Sequence, residues 1–171
     1  MSDPLRTATT DHAARVNRLR GELDSLPTPE GEYPDEGAAR LACGEAIDGL
    51  AEGNYGVGSV LVDPAGEVAA RGHNQVFVPH FRSDRHSEMV ALDAFEAAHP
   101  EIVDMSGYIL HVSIEPCPMC LARLIIAGIG TVKYVTADEG GGMIRHLSAM
   151  PVNFRKLAHA QQFSPSACYP A

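Results

Sequence analysis

Residues 108–130 read YILHVSIEPCPMCLARLIIAGIG. Five of the first seven are apolar and three of those are β-branched, the composition of a short buried strand. The chain then runs directly into a helix that opens with EPCPMC (115–120), and from there into TVKYVTAD (131–138), a second strand. Upstream, HSEMVALDAFEAAH (86–99) has helical spacing and ends before Pro100. YGVGSVLVDPAGEVAARGHNQ (55–75) predicts a hairpin, with strands Val57–Val62 and Glu67–Gly72 around a turn at Asp63–Gly66. VFVPHFRSDR (76–85) is an irregular loop. AARLACGEAIDGLAEG (38–53) is a helix closed by Gly53. An opening hairpin followed by alternating helix and strand implies an α/β fold, a mixed sheet covered by helices on both faces.

The two ends are simpler. Thr9–Leu26 predicts an amphipathic helix with Val16, Leu19 and Leu23 at helical spacing, and PTPEGEYPDEG (27–37) reads as a linker. After EGGGM (139–143), VNFRKLAHAQQF (152–163) is expected to be a last helix and SPSACYPA (164–171) irregular. At 171 residues the chain fits one domain with an added N-terminal helix.

Two of the four cysteines sit in PCPMC. A redox dithiol takes this place after a strand at a helix start. A zinc ribbon needs a second pair, and Cys43 and Cys168 are isolated. The third reading is a zinc site completed by a ligand from another helix start, with a fourth position left for water. HSE at 86–88 decides for the third: H-x-E followed by P-C-x-x-C is the arrangement of zinc deaminases.

The chemistry needs these residue types. The i,i+3 spacing puts both sulfurs on one side of a helix's first turn, where free N–H groups favour thiolates. Two thiolates and the His86 imidazole leave Zn²⁺ acidic enough to lower its water's pKa toward about 7. Glu88 is then better used as a proton shuttle than as a ligand. On a regular helix, residues two apart point away from one another. His86 and Glu88 therefore converge only if His86 stands where the chain enters the helix, with Ser83 or Asp84 as the cap.

From about Pro34 to Asp138 the chain resembles the cytidine deaminase-like superfamily, in the branch of guanine deaminases, tRNA adenosine deaminases and fungal-type cytosine deaminases. HSEMVAL and SIEPCPMCLARLIIAGI carry the resemblance, although Ser87 stands where the family commonly has Ala. It implies a three-layer α/β/α sandwich around a five-stranded mixed sheet, one Zn²⁺ on His86, Cys117 and Cys120, Glu88 as proton shuttle, and a homodimer. On this basis residues 1–33 form a helical extension and linker, and 34–171 the deaminase domain. The resemblance further implies substrate contacts from Asn74, from the Ser87 backbone N–H, and from a carboxylate after the fourth strand. Asp138 and Glu139 stand near that last place, and Glu139 is the candidate. Tyr169 would be a lid.

The substrate class expected is a small amino-substituted base: guanine-like first, cytosine or an aminotriazine next, a nucleoside after these. A net charge of −9, with 13 Lys+Arg against 22 Asp+Glu, argues against a nucleic-acid partner. GGGMIRHLSAMPVNFRKLA replaces the basic C-terminal helix of the tRNA enzymes. RNA editing is the alternative, and a catalytically silent zinc-stabilised interaction domain the other. A cytoplasmic address, without a membrane, is expected from the lack of a signal-like or spanning apolar run. Among the other histidines, His12, His99 and His159 are expected to be exposed on helices, and His111 to be a hydrogen-bonded core residue. His73 and His80, with Phe77 and Phe81, are candidates for stacking a planar base.

Overall fold

The structure is a computed structural model that describes residues 4–27 and 33–168. Tyr169 and the middle of the expected linker lie outside the described residues. The chain order is α1 (Pro4–Ser25), α2 (Glu36–Ala51), β1 (Gly58–Val62), β2 (Val68–His73), α3 (Ser87–Ala98), β3 (Ile109–Ile114), α4 (Pro118–Ala127) and β4 (Thr131–Thr136). A 3-10 helix (Ile144–Ala149), α5 (Val152–Ala158) and β5 (Gln162–Pro165) follow.

The five strands form one mixed sheet in the order β2-β1-β3-β4-β5. β1 is antiparallel to both β2 and β3, whereas β4 runs parallel to β3 and β5 parallel to β4. α2 covers one face, and α3 with α4 the other. Alternation along the strands serves both layers. Leu61, Leu110 and Val132 join Leu92, Phe95 and Leu124 in the core beneath α3 and α4. His111 and Lys133, paired across β3 and β4, point the other way, and Lys133 reaches Asp35 at the start of α2 (2.6 Å).

The expected architecture is therefore present, with one element corrected. The tail does not continue as helix through Phe163. It leaves α5 at Ala158 and adds β5 to the sheet edge, where the Gly130 carbonyl accepts from Gln162 N–H (2.9 Å) and the Tyr134 carbonyl from Ser166 N–H (2.8 Å). The expected α1 is also longer at its N-terminal end, starting at Pro4. It lies on the outside of α2, with Val16 buried and Arg20 paired with Asp48 at 2.7 Å. No described helix is long and apolar enough to cross a membrane.

Candidate active site

The topology gathers the chemistry at one edge of the sheet. β2 and β3 both run antiparallel to β1, so the ends of β2 and β3 meet the beginning of β1, and β4 ends beside β3. Val57 precedes β1, Asn74 follows β2, and Glu115–Cys117 and Asp138 follow β3 and β4. This is the crevice outside strand ends where open α/β sheets hold ligands. α3 and α4 both start there.

His86 and Cys117 are the cap residues of those two helices, and both have extended backbones (φ −71°, ψ 158° and φ −70°, ψ 170°). His86 thus stands outside the helix and Glu88 on its first turn, which is how residues two apart come to face one site. The expected cap is corrected: the position belongs to His86, while Asp84 is held by Arg82 through bonds of 2.9 and 2.7 Å.

His86 Nδ1 lies 3.6 Å from the sulfur of Cys117 and 3.5 Å from that of Cys120, and the three donor atoms lie within 4.8 Å of one another. A tetrahedral zinc with bonds of about 2.0–2.1 Å to nitrogen and 2.3 Å to sulfur would hold N and S about 3.6 Å apart. The three residues fit the metal in type and in spacing. The Cys120 thiol donates to Cys117 and holds it down to about 5, helped by the backbone N–H groups of Cys120 and Met119 and by His86, against its own burial. Cys120, the donor, is pushed up by that bond and by burial. A metal that binds thiolates displaces such a proton.

His86, Glu88 and Cys117 line a cleft of about 170 Å³ together with Tyr55, Val57, Asn74, Ile114, Glu115 and Asp138. Glu88 is only 3 % exposed. Burial pushes its carboxyl up, against hydrogen bonds from its own backbone N–H and from the Ser87 hydroxyl (3.0 Å). Asn74 is 2 % exposed; its Oδ1 accepts from Val76 N–H at 3.1 Å, leaving the amide nitrogen without a partner among the described residues.

Ser87 does not line the cleft. Its hydroxyl lies beneath Glu88, 2.7 Å from the Ser59 hydroxyl. Glu139 is exposed and outside the cleft, because the chain turns after Asp138, the carboxylate that does line it. Asp138 Oδ1 accepts from Gly140 N–H (3.0 Å) and Gly141 N–H (2.9 Å), which folds the turn.

His73 is not a stacking residue. It ends β2, with its ring held between Glu45 and Glu52 at 3.1 Å each. Phe77 and Phe81 stand outside the cleft, and the aromatic face that lines it is Tyr55, packed edge-on against Phe77 (5.0 Å between centroids). Asn54 Oδ1 accepts from the N–H groups of Phe77 and Val78 and so ties their loop to Tyr55's. His111 is buried as expected, but its Nδ1 has no hydrogen-bond partner among the described residues, and burial lowers its pKa. Tyr55, Val57, Ile114 and Glu115 are the cleft residues that sequence reasoning did not assign to the site. An acid inside EPCPMC, beside a metal ligand, was the available signal for Glu115.

Fold and site together define a zinc-dependent deaminase scaffold. Residues 33–136 match the family described as cytidine and deoxycytidylate deaminase zinc-binding region, and the chain belongs to it. It is 34 % identical over 109 residues to the tRNA-specific adenosine deaminase of Bacillus subtilis (strain 168), a match covering 63 % of this chain and 65 % of that protein. The chain thus spans just under two thirds of that relative. A structure from work on A-to-I editing by tRNA:A34 deaminases superposes with a TM-score of 0.66 at 26 % identity, over 76 % of this chain and 97 % of the other. Guanine deaminase from Bacillus subtilis superposes with a TM-score of 0.56 at 25 % identity, over 67 % and 76 %.

Proposed function

We propose that this chain is a hydrolytic deaminase that replaces the amino group of a nucleobase or related amino-heterocycle with oxygen and releases ammonia. The observation that carries this reading is the buried Glu88 carboxyl, in the wall of the same cleft as the His86, Cys117 and Cys120 donor set. When bound there, Zn²⁺ supplies Lewis acidity that lowers the pKa of water toward about 7. Glu88 would take one proton from the attacking water and pass it to the ring nitrogen, then take the second from the added hydroxyl and deliver it to the amine, which leaves as ammonia. A carboxyl raised by burial suits both halves of that work near neutral pH.

The cleft holds one flat ring system. At about 170 Å³ it is below the roughly 300 Å³ where drug-sized pockets begin. Tyr55 offers a ring face, and the Asn74 amide nitrogen donates to a ring carbonyl or nitrogen. The Ser87 backbone N–H remains a contact in this proposal. Asp138 takes the part assigned to Glu139. Its Oδ2 makes no hydrogen bond among the described residues and is free to accept from ring and amino N–H groups. An edge carrying such donors places guanine-like bases first, ahead of cytosine, aminotriazines and nucleosides.

A tRNA adenosine substrate is the second reading, favoured by the identity to the Bacillus subtilis tRNA enzyme. Against it, three arginines before α3 and on α4 have their charge matched locally, Arg82 by Asp84, Arg85 by Asp93, and Arg123 by Asp93 and Glu96, whereas Arg145 on the Asp138 loop is held by backbone carbonyls. A phosphate backbone needs unpaired cations. We also infer that residues 34–171 are the deaminase unit and 1–33 an extension. Ammonia release from guanine, cytosine, adenine, their nucleosides and aminotriazines tests the assignment. Turnover of a free base supports it. Turnover confined to tRNA, with binding that weakens steeply with salt, would replace it with the second reading.

A further inference from the structure

Glu115 stands two residues before the metal ligand Cys117 and is 3 % exposed. A carboxylate so buried requires hydrogen-bond partners, and its partners all come from one loop. Oε1 accepts from the backbone N–H of Ile144 (2.9 Å) and of Arg145 (3.4 Å), and Oε2 from that of Asp138 (3.2 Å). The main chain adds two more ties: Glu115 N–H donates to the Thr136 carbonyl (2.8 Å), and Met143 N–H to that of Pro116 (3.0 Å). The loop also closes on itself, with the Arg145 guanidinium donating to the carbonyls of Asp138 (3.2 Å) and Glu139. Gly142 makes the approach possible, since a Cβ there would lie 2.3 Å from Glu115 Cδ and 2.4 Å from Oε2.

We propose that Glu115 is a positioning residue for substrate specificity, fixing Asp138 at the cleft and locking the loop that carries it to the start of the metal-binding helix. The metal site and the base-reading carboxylate thereby become one rigid unit. This rests on the reading of the cleft as a base site with Asp138 as a contact. Glu115 does not act on the reacting atoms. It acts through where it holds Asp138, so its loss weakens substrate binding and leaves the metal in place.

The test uses the zinc-loaded full chain with Glu115→Gln. Glutamine offers one oxygen and one NH₂, so one of the two sets of loop N–H groups must face a donor. The backbone amides of Asp138, Ile144 and Arg145 should exchange hydrogen faster than in the native chain, with zinc per chain unchanged. For the best base substrate kcat/KM should fall about tenfold or more, through a rise in KM with kcat little changed. Asp138→Asn should cost less in the Glu115→Gln background than in the native one, since the two residues act as a unit. Gly142→Ala crowds the carboxylate while keeping Glu115, and should give the same exchange and KM pattern if Glu115→Gln fails to fold. The exchange measurement needs no substrate, so it separates failure of this proposal from failure of the deaminase reading. Unchanged exchange at those amides in both variants would overturn the proposal. So would a fall in kcat at constant KM, or costs that simply add.

Discussion

Cys120 has the most constrained sulfur in the site: it is fully buried, it donates to Cys117, and it lies 3.5 Å from His86 Nδ1. Cys120→Ser replaces a thiolate with a hydroxyl that stays protonated and binds zinc poorly. Metal analysis after dialysis should show zinc falling from one per chain to a small fraction. His73 has a different role. Burial pulls its imidazole down, but the hydrogen bonds to Glu45 and Glu52 outweigh that and leave it raised above 6.5. Arg71, 4.0 Å from Glu45, is the other charge nearby. A raised folded pKa means the protonated form favours the folded state. The stabilisation is complete below about 6.5 and is lost as pH rises through the folded pKa. The native Tm should therefore drop across that window more than the Tm of His73→Gln. These two histidines show how far residue types could be read. His86 was identifiable because Glu88 and a distant CxxC restrict its chemistry. His73 was not, since both its partners come from α2 and the turn after it, far away in sequence.

The starts of α3 and α4 decide the site's geometry, because each ligand-bearing turn is held at a helix entrance. Gly72 on β2 lets α3 lie against the sheet: a Cβ there would sit 2.6 Å from the Ser87 carbonyl oxygen and from Ala91 N. Gly72→Ala should cost about 1–3 kcal/mol in chemical denaturation, as other overpacked sites do. It should also weaken zinc binding by displacing His86 and Glu88 with the helix. Most elements were legible from hydrophobic periodicity and from Gly and Pro punctuation. β5 was not. QFSP carries no β-branched residue and one Pro, and it becomes a strand only because β4 offers an unpaired edge. The cap of α3 was misread for a related reason. Ser83 and Asp84 have capping side chains, but Asp84 is taken by Arg82, and a ligand occupies the cap position.

Across the whole molecule, α1 is a layer outside the sandwich. Its described links to the rest include buried Val16, the Arg20–Asp48 pair, and Arg40 donating to the carbonyls of Leu23 (3.3 Å) and Pro27. Val57, Asn74, Glu88, Glu115, Cys117 and Asp138 all come from residues after 33. A chain beginning at Tyr33 should melt a few degrees lower in calorimetry and keep its ammonia-release rate. A complete loss of activity would place α1 in the working unit. The fold and the metal set were legible because one motif pair carries both. The rest of the cleft wall was less so. Asp138, Tyr55 and Glu115 lie on loops whose course depends on hydrogen bonds between distant segments, and sequence spacing does not record those bonds.

The central claim is that Glu88 moves the protons of a reaction carried out beside the His86–Cys117–Cys120 metal site. Ammonia release by Glu88→Gln, compared with the native chain at equal zinc content on the best base substrate, tests it most directly. The account predicts a fall of at least about 10²-fold in kcat with one zinc still bound per chain. Turnover at the native rate would contradict it.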